Sequence, residues 1–464
     1  MYLGIDLGTS GVKVLVMDAG QGVVGSASAP LDVSRPQEGW SEQDPADWIG
    51  ACEGALEKLK AAWPDALAAV RGIGLSGQMH GAVVLDRADR VLRPAILWND
   101  GRSAAQAARL DAEPMFRARN GNIVFPGFTA PKLVWLCEHE PEVFARVAKV
   151  LLPKDYLRLW LTGEHVSAMS DAAGSSWLDT GARAWSAELL AASGMDQAQM
   201  PRLIEGTEAS GVLRPDLARR WGMGAGVVVA GGAGDNAASA CGMGVVRGGD
   251  AFVSLGTSGV LFAATDSYLP RPESAVHAFC HALPGTWHQM GVILAAADAL
   301  AWLARVTGQP PEGLTGELGE ALRAPGGVTF LPYLGGERTP HNDAGLRGSF
   351  LGLGHASGRQ ALTQAVLEGV AFALADALEA LNAAGTRLDG AWAVGGGARS
   401  DYWLKVIATA LDLPLRLPAE GDFGAAFGAA RLGLIAAEGA DPRAVCTPPE
   451  TARVIVPDRD LRDA

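Results

Sequence analysis

The chain has 464 residues, 48% of them hydrophobic and 19% charged, with a formal net charge of −13 at pH 7. That length exceeds one ordinary core, so two α/β-sized domains are expected. The acidic balance speaks against nucleic acid or an anionic membrane as partner, since either would draw a basic patch. Five cysteines, Cys52, Cys137, Cys241, Cys280 and Cys446, lie scattered without Cys-x-x-Cys spacing, which predicts free thiols in a reducing compartment. No basic leader opens the chain, and no run reaches the ~18 uninterrupted apolar residues of a spanning helix, so a cytoplasmic protein is expected.

Strands are predicted around 2–6, 12–18 and 22–29. The first two flank Gly8-Thr9-Ser10-Gly11, which reads as a hairpin turn. Its backbone N–H groups and hydroxyls form a concavity suited to phosphate oxygens. A helix follows from Pro45 to Trp63, with Asp44 as its cap and proline at its first position. Strands at 70–76 and 81–85 bracket Ser76-Gly77-Gln78-Met79-His80-Gly81, and helices are predicted over 103–119, 131–148 and 153–162. The second half restarts with strands at 226–230, 251–255 and 259–264. The last two flank Gly256-Thr257-Ser258-Gly259, a repeat of the first turn. Helices at 292–307, 358–384, 400–411 and 424–438 alternate with strands at 390–394 and 414–417. This order indicates two α/β domains, 1–243 and 244–464, with a ligand cleft between them. The repeated turn suggests that each half offers a phosphate clamp to one nucleotide.

Several residues carry chemistry. Asp6 stands just before the first turn. It reads either as a turn aspartate or as an acid that meets phosphate through the waters of Mg²⁺, and the second turn shifts the weight to the metal. Asp235 ends Ala230-Gly231-Gly232-Ala233-Gly234 and opens a small-residue helix. There it can cap that helix, orient an attacking hydroxyl, or do both with its two oxygens. Gly395-Gly396-Gly397, with Ser400 nearby, follows a strand and can pack against adenine or an α-phosphate, although no GxGxxG or GxxxxGK[ST] signature is present. Gln78, Met79 and His80 suit a polyol, although a lone histidine is more often structural. Trp98 reads as an aromatic wall or as a packed turn. His277 and His281 have a metal-helix spacing without the HExxH glutamate, so a core sheet-edge segment is the stronger reading. Arg338, in Glu337-Arg338-Thr339-Pro340-His341, serves structure or phosphate equally well.

Taken together, these residues resemble the FGGY carbohydrate kinases, of the superfamily shared by hexokinases and actin-like ATPases. Phe128-Thr129-Ala130-Pro131-Lys132-Leu133-Val134-Trp135-Leu136 is similar to one family signature, and Glu368-Gly369-Val370-Ala371-Phe372-Ala373-Leu374 lies in the other. Leu97–Arg102, Leu152–Leu157 and Met169–Gly174, with the Gln78 segment, direct the resemblance to members that act on D-xylulose. The resemblance implies two actin-like, ribonuclease-H-like domains and ATP-dependent phosphorylation of the ketose 5-hydroxyl. It also implies roles: Asp235 as base, Asp6 as the metal-associated acid, Met79 and His80 as the substrate pair with Asn236 beside the sugar, Thr257 at the γ-phosphate and Gly396-Gly397 at the adenosine. The residues themselves add Gln78, Trp98 and Asp235 around the sugar, and Thr9, Ser10, Gly256, Ser258 and Ser400 for ATP, with Mg²⁺ as cofactor. A homodimer is a further expectation. A kinase for ribulose, glycerol or another polyol stays open, as does a non-catalytic sugar sensor or an actin-like ATPase. The Gln78 segment and Asp235 argue against the last two.

Overall fold

The computed structural model describes residues 1–419, 421 and 423–462. The chain forms two compact units. The first comprises Met1–Val246, Phe279–Thr286 and the stretch ending at Pro448 that carries the helix Ala425–Glu438; the second comprises Arg247–Ala278, Trp287–Gly421 and the residues after Pro448. The units are therefore not consecutive halves. A cut at 243/244 leaves a helix of the first unit on the far side.

In the first unit, Tyr2–Leu7 and Gly11–Met17 form an antiparallel hairpin with Val23–Pro30 alongside. Gly72–Gly77 runs parallel to Tyr2–Leu7 on its other side. Val228–Ala230 and Ala233–Gly234 run parallel to Gly72–Gly77, and Ala209–Val212 closes that edge antiparallel. Strand alternation sends Leu3, Ile5 and Leu7 into one core with Trp48, Leu56 and Leu59 of the helix Pro45–Ala62. That helix is capped as its sequence suggests, with Asp44 Oδ1 accepting from Ala46 N at 2.9 Å. The opposite sheet face carries glycine at Gly4 and Gly74, which are register partners. A Cβ at either would stand 1.7 Å from Ala426 O or Ala429 O of the helix Ala425–Glu438. Bare backbone on the sheet lets this late helix dock on the first unit.

The second unit repeats the plan. Ala251–Leu255 and Gly259–Thr265 form the hairpin, with Trp287–Ile293 beside it. Ala391–Val394 is parallel to Ala251–Leu255, Leu415–Pro418 is parallel to Ala391–Val394, and Thr451–Ile455 is antiparallel at the edge. The helix Arg359–Ala383 supplies Val366, Leu367, Val370, Leu374 and Leu381 to the core under this sheet. Among the described residues it alone is long and apolar enough to cross a membrane by length and composition, yet most of its apolar stretch is buried in the unit.

Both predicted hairpin turns form. The helical expectation over 292–307 is corrected at its start: Trp287–Ile293 is a strand, held by pairing along Gly259–Thr265, and the helix is Ala297–Thr307. The stretch 103–119 splits into Ala104–Asp111 and Pro114–Asn120, and 131–148 into Thr129–His139 and Pro141–Phe144. A proline opens the second helix of each pair, because its ring fits the first turn and not the interior. The short strands Glu42–Gln43 and Ala95–Ile96 were not anticipated; they pair with each other. All five cysteines are free, and His277 lies on the strand His277–Cys280, as expected of a core segment.

Candidate active site

Three parallel strands of the first unit end level with one another. Leu7 is the register partner of Gly77, and Gly77 that of Gly234. The carboxyl ends of neighbouring parallel strands are where open α/β sheets place ligands. From these ends emerge Asp6 with the first turn, then Gln78-Met79-His80, then Asp235. Gln78 N donates to Leu7 O at 2.8 Å and so keeps the second segment beside the first.

Asp235 opens the helix Asp235–Met243, with Gly234 in the cap position. Its Oδ1 accepts from Asn236 N at 2.7 Å and Asn236 Nδ2 at 3.0 Å. Oδ1 thus satisfies an N–H of the first helical turn, and neither of these bonds uses Oδ2. Burial, and then the neighbouring Asp6 carboxylate, raise the Asp235 pKa to about 6, while the Asn236 hydrogen bonds oppose the rise. An acid displaced toward neutrality is what a general base requires. Two carboxylates that sense each other this way also fit one hard cation, which takes one or two protein carboxylates and keeps several waters. Among the described residues no three His, Cys, Asp or Glu side chains form a fuller cage.

Met79 is buried, and its Sδ would stand 2.7 Å from a Cβ at Gly234, so the glycine before the base makes room for the thioether. His80 has a left-handed backbone, φ 71°. Its Nδ1 is 2.7 Å from Gly174 O. A carbonyl only accepts, so Nδ1 carries the proton. The ring stacks on Phe128 at 4.5 Å. His80 is thus fixed in orientation by both backbone and ring. Trp98 is 45% exposed, and its Nε1 donates to Thr9 Oγ1 at 2.9 Å. Its ring is thus exposed, with its polar edge fastened to the first turn.

The structure adds residues that the sequence reading left without a role. Lys132 is wholly buried, and its Nζ donates to His80 O at 2.8 Å and Gly127 O at 2.7 Å. Burial pushes its pKa well below the usual lysine value, against the pull of Asp100. It ties the strained His80 backbone to the helix Thr129–His139. A buried ionic cluster lies beneath the base. Lys154 Nζ meets Asp155 Oδ1 at 2.5 Å and Asp171 Oδ2 at 3.3 Å. Arg158 reaches Ala230 O at 2.6 Å and Gly231 O at 2.5 Å, on the loop leading to Asp235. Burial raises Asp171 to about 7; Lys154 opposes this, and Asp155 and Asp235 add to it. The signal available in the sequence was Lys154, Asp155 and Arg158 set among Leu157, Leu159 and Leu161 of one helix, since buried charges survive only when paired.

In the second unit, Gly256, Thr257 and Ser258 form the turn after Ala251–Leu255, with Thr257 and Ser258 exposed. The turn carbonyls face the helix Ala297–Thr307: Ala297 N donates to Gly256 O at 2.8 Å and Ala296 N to Thr257 O at 2.9 Å. The glycine loop leaves the adjacent parallel strand. Gly395 needs its φ of 92°, and a Cβ there would stand 2.8 Å from Leu255 O. Gly396 is exposed with open space around it, whereas Gly397 is buried, and a Cβ there would meet Leu255 Cβ at 2.8 Å. Gly396 therefore leaves its backbone accessible, and Gly397 is needed for close packing. Ser400 caps the helix Asp401–Leu411, accepting from Trp403 N at 3.3 Å.

Two like sheets, with acids and polar recognition groups at the strand ends of one and bare glycine loops at those of the other, describe a sugar kinase architecture. The chain belongs to the FGGY family of carbohydrate kinases: the family's N-terminal domain matches residues 1–242 and its C-terminal domain residues 251–437. It is 51% identical over 439 residues to the xylulose kinase of Escherichia coli (strain K12), covering 94% of this chain and 90% of that one. It is 50% identical over 438 residues to that of Klebsiella pneumoniae, with the same two shares. Among solved structures it is similar to a xyloylose kinase from Brucella ovis, with 68% identity and a TM-score of 0.99 over 100% of this chain and 96% of the other.

Proposed function

We propose that this protein transfers the γ-phosphoryl group of ATP to the 5-hydroxyl of D-xylulose, giving D-xylulose 5-phosphate and ADP, a step of xylose catabolism. The observation that carries the reading is the level alignment of Asp6, Gln78–His80 and Asp235 at three neighbouring strand ends, in a chain 51% identical to a xylulose kinase.

In this reading Asp235 Oδ2 accepts the hydroxyl proton as the oxygen attacks phosphorus, while Asn236 holds Oδ1 in place. His80, Trp98 and Gln78 orient the ketose, and Met79 fills the space behind Gly234. The second unit's turn, Gly256-Thr257-Ser258, takes the γ-phosphate, and Gly396 the adenosine. Mg²⁺, associated with Asp6 through water, would neutralise charge on the phosphates. Ser10, which is exposed, assists the same phosphates.

The test is ADP release measured over a panel of ketopentoses and polyols, with the phosphorylated carbon identified by NMR. D-xylulose should give the highest kcat/KM and a 5-phosphate. A higher value with ribulose or glycerol would move the assignment to another sugar. ADP release that no sugar raises above the basal rate would remove the kinase reading.

A further inference from the structure

Gln43 is buried and occupies all of its hydrogen-bonding capacity. Its Nε2 donates to Thr9 O at 2.8 Å and Asp32 O at 3.0 Å. Its Oε1 accepts from Trp48 Nε1 at 2.9 Å and Gln78 Nε2 at 3.0 Å. Backbone carbonyls only accept and an indole N–H only donates, so the amide cannot flip without setting like against like on both sides. That orientation propagates. Gln78 must turn its Nε2 to Gln43, so its Oε1 faces Thr9 Oγ1 at 3.2 Å. An amide oxygen only accepts, so in this contact the Thr9 hydroxyl gives its proton to Gln78, and the same oxygen accepts from Trp98 Nε1 at 2.9 Å. Thr9 to Gln78, Gln78 to Gln43 and Gln43 to Thr9 close a ring of hydrogen bonds running in one direction, with Trp98 attached.

We infer that Gln43 is a positioning residue that locks Gln78, Thr9 and Trp98 into one arrangement and thereby couples the ketose wall to the first phosphate turn. The inference rests on the sugar-site reading above for its functional part alone. The backbone supports it: Glu42–Gln43 pairs with Ala95–Ile96, and Leu97 N, next to Trp98, donates to Ser41 O at 3.0 Å. Ser41 N in turn donates to Asp100 Oδ2 at 2.6 Å. Gln43 and Trp98 are thus carried on two paired segments, and the ring sets the side chains of that pair. One consequence concerns Thr9. A hydroxyl proton given to Gln78 is not available to a phosphate oxygen, so Thr9 acts on the sugar side, and phosphate in this turn is left to backbone N–H groups and Ser10.

The test has two arms. In ¹⁵N-tryptophan-labelled protein, the Trp98 indole resonance is identified by its loss in Trp98→Phe. Gln43→Glu keeps the shape and removes both donors, and should shift that resonance and speed its hydrogen exchange by about 10-fold or more, as for a lost net hydrogen bond or two. Gln78→Met cuts the ring between Gln43 and Thr9 while leaving Trp98 its own acceptor, and should do the same, which keeps the reading testable if Gln43→Glu does not fold. A Trp98 resonance unchanged in a folded variant overturns the inference, whether or not the protein acts on xylulose. In the second arm, kcat/KM for D-xylulose is measured for Gln43→Glu, Trp98→Phe and the double variant. Each single change should cost about 10-fold and the double scarcely more, because one pathway is broken twice. A double variant down by about 100-fold would mean that the two residues act independently, and Gln43 would then be no more than a buried structural glutamine. A wild type without ketose-dependent turnover would sink the functional reading, while the first arm would still decide the ring.

Discussion

Gly8-Thr9-Ser10-Gly11 and Gly256-Thr257-Ser258-Gly259 share a sequence and sit at the same place in two sheets of like strand order, yet their surroundings have diverged. Thr9 is half-buried and bonded to Gln78 and Trp98, whereas Thr257 is exposed, with its carbonyl engaged by the start of a helix. The residue that aligns with Asp6 in the second copy is Ser254. The strand beside the first turn runs on into Gln78-Met79-His80, and the strand beside the second runs on into Gly395-Gly396-Gly397. In the proposed reading, side chains stand where the sugar is recognised, and bare backbone stands where the nucleotide approaches closely. One scaffold, used twice, has been specialised by what its strand ends carry.

The largest effect is expected from removing the proposed base of the first sheet. Asp235→Asn keeps an oxygen for the Asn236 N–H and should lower turnover by roughly 10²–10⁴-fold, with sugar affinity changed far less. Near-native turnover in that variant would take the chemistry away from the first sheet. In the wild type the acid limb of kcat/KM should fall near pH 6, where Asp235 protonates. The same variant tests stability. The Asp235 pKa is raised above its unfolded value near 3.9, so the ionised form costs folding free energy above about pH 6 and nothing below about pH 4. Asp235→Asn should therefore be more stable than wild type by about 1–3 kcal/mol at pH 7–8, and the gain should fade as pH falls to 4. A constant difference across that range would contradict the displacement.

Asp6→Ser makes the first turn a copy of the second. If the carboxylate is what separates them, turnover should drop by about 10²-fold and the Mg²⁺ requirement should rise, while xylulose affinity stays near wild type. A selective loss of xylulose binding in a titration would place Asp6 with the sugar instead. His80→Ala removes a recognition side chain from the first sheet and should raise the xylulose KM by about 10-fold, with the ATP KM little altered, because a hydrogen-bonding site discriminates through its buried polar groups. Unaltered sugar kinetics would return His80 to a structural role. The smallest effect belongs to the second sheet. Gly396→Val has room in the free protein and should leave the melting temperature alone while raising the ATP KM by a factor of about 3–10, or roughly 1 kcal/mol of lost close approach. An unchanged ATP KM would detach this loop from the nucleotide.

Much of this arrangement is legible locally. The Gly-Thr-Ser-Gly turns between apolar runs, Asp44-Pro45 before an amphipathic helix, and Asp235 at the head of a small-residue helix all depend on neighbours in sequence. The misread stretch was 292–296, the start of the expected helix over 292–307: Val292 and Ile293 end a strand whose pairing partner Gly259–Thr265 decides, and the helix begins at Ala297. Gln43 carries no local sign of its importance, and the motif stretches around Lys132 and Asp171 do not show what these residues do, because each acts on partners distant in the chain. Lys132 reaches His80, Gln43 reaches Gln78, and Asp171 meets Lys154.

What the sequence by itself determined is the repeated turn, the acid before the first copy, the acid after the glycines, and a family resemblance that the comparisons bear out. Those features are properties of short segments, in which backbone preference, charge and residue type act within a few positions. Tertiary structure alone decided that the helix Ala425–Glu438 belongs with the first unit, because it packs where Gly4 and Gly74 leave no side chain between helix and sheet. It also decided that Gln43, Gln78, Thr9 and Trp98 close into one ring, because hydrogen bonds are set by distance in space and by donor direction, and neither is written along the chain.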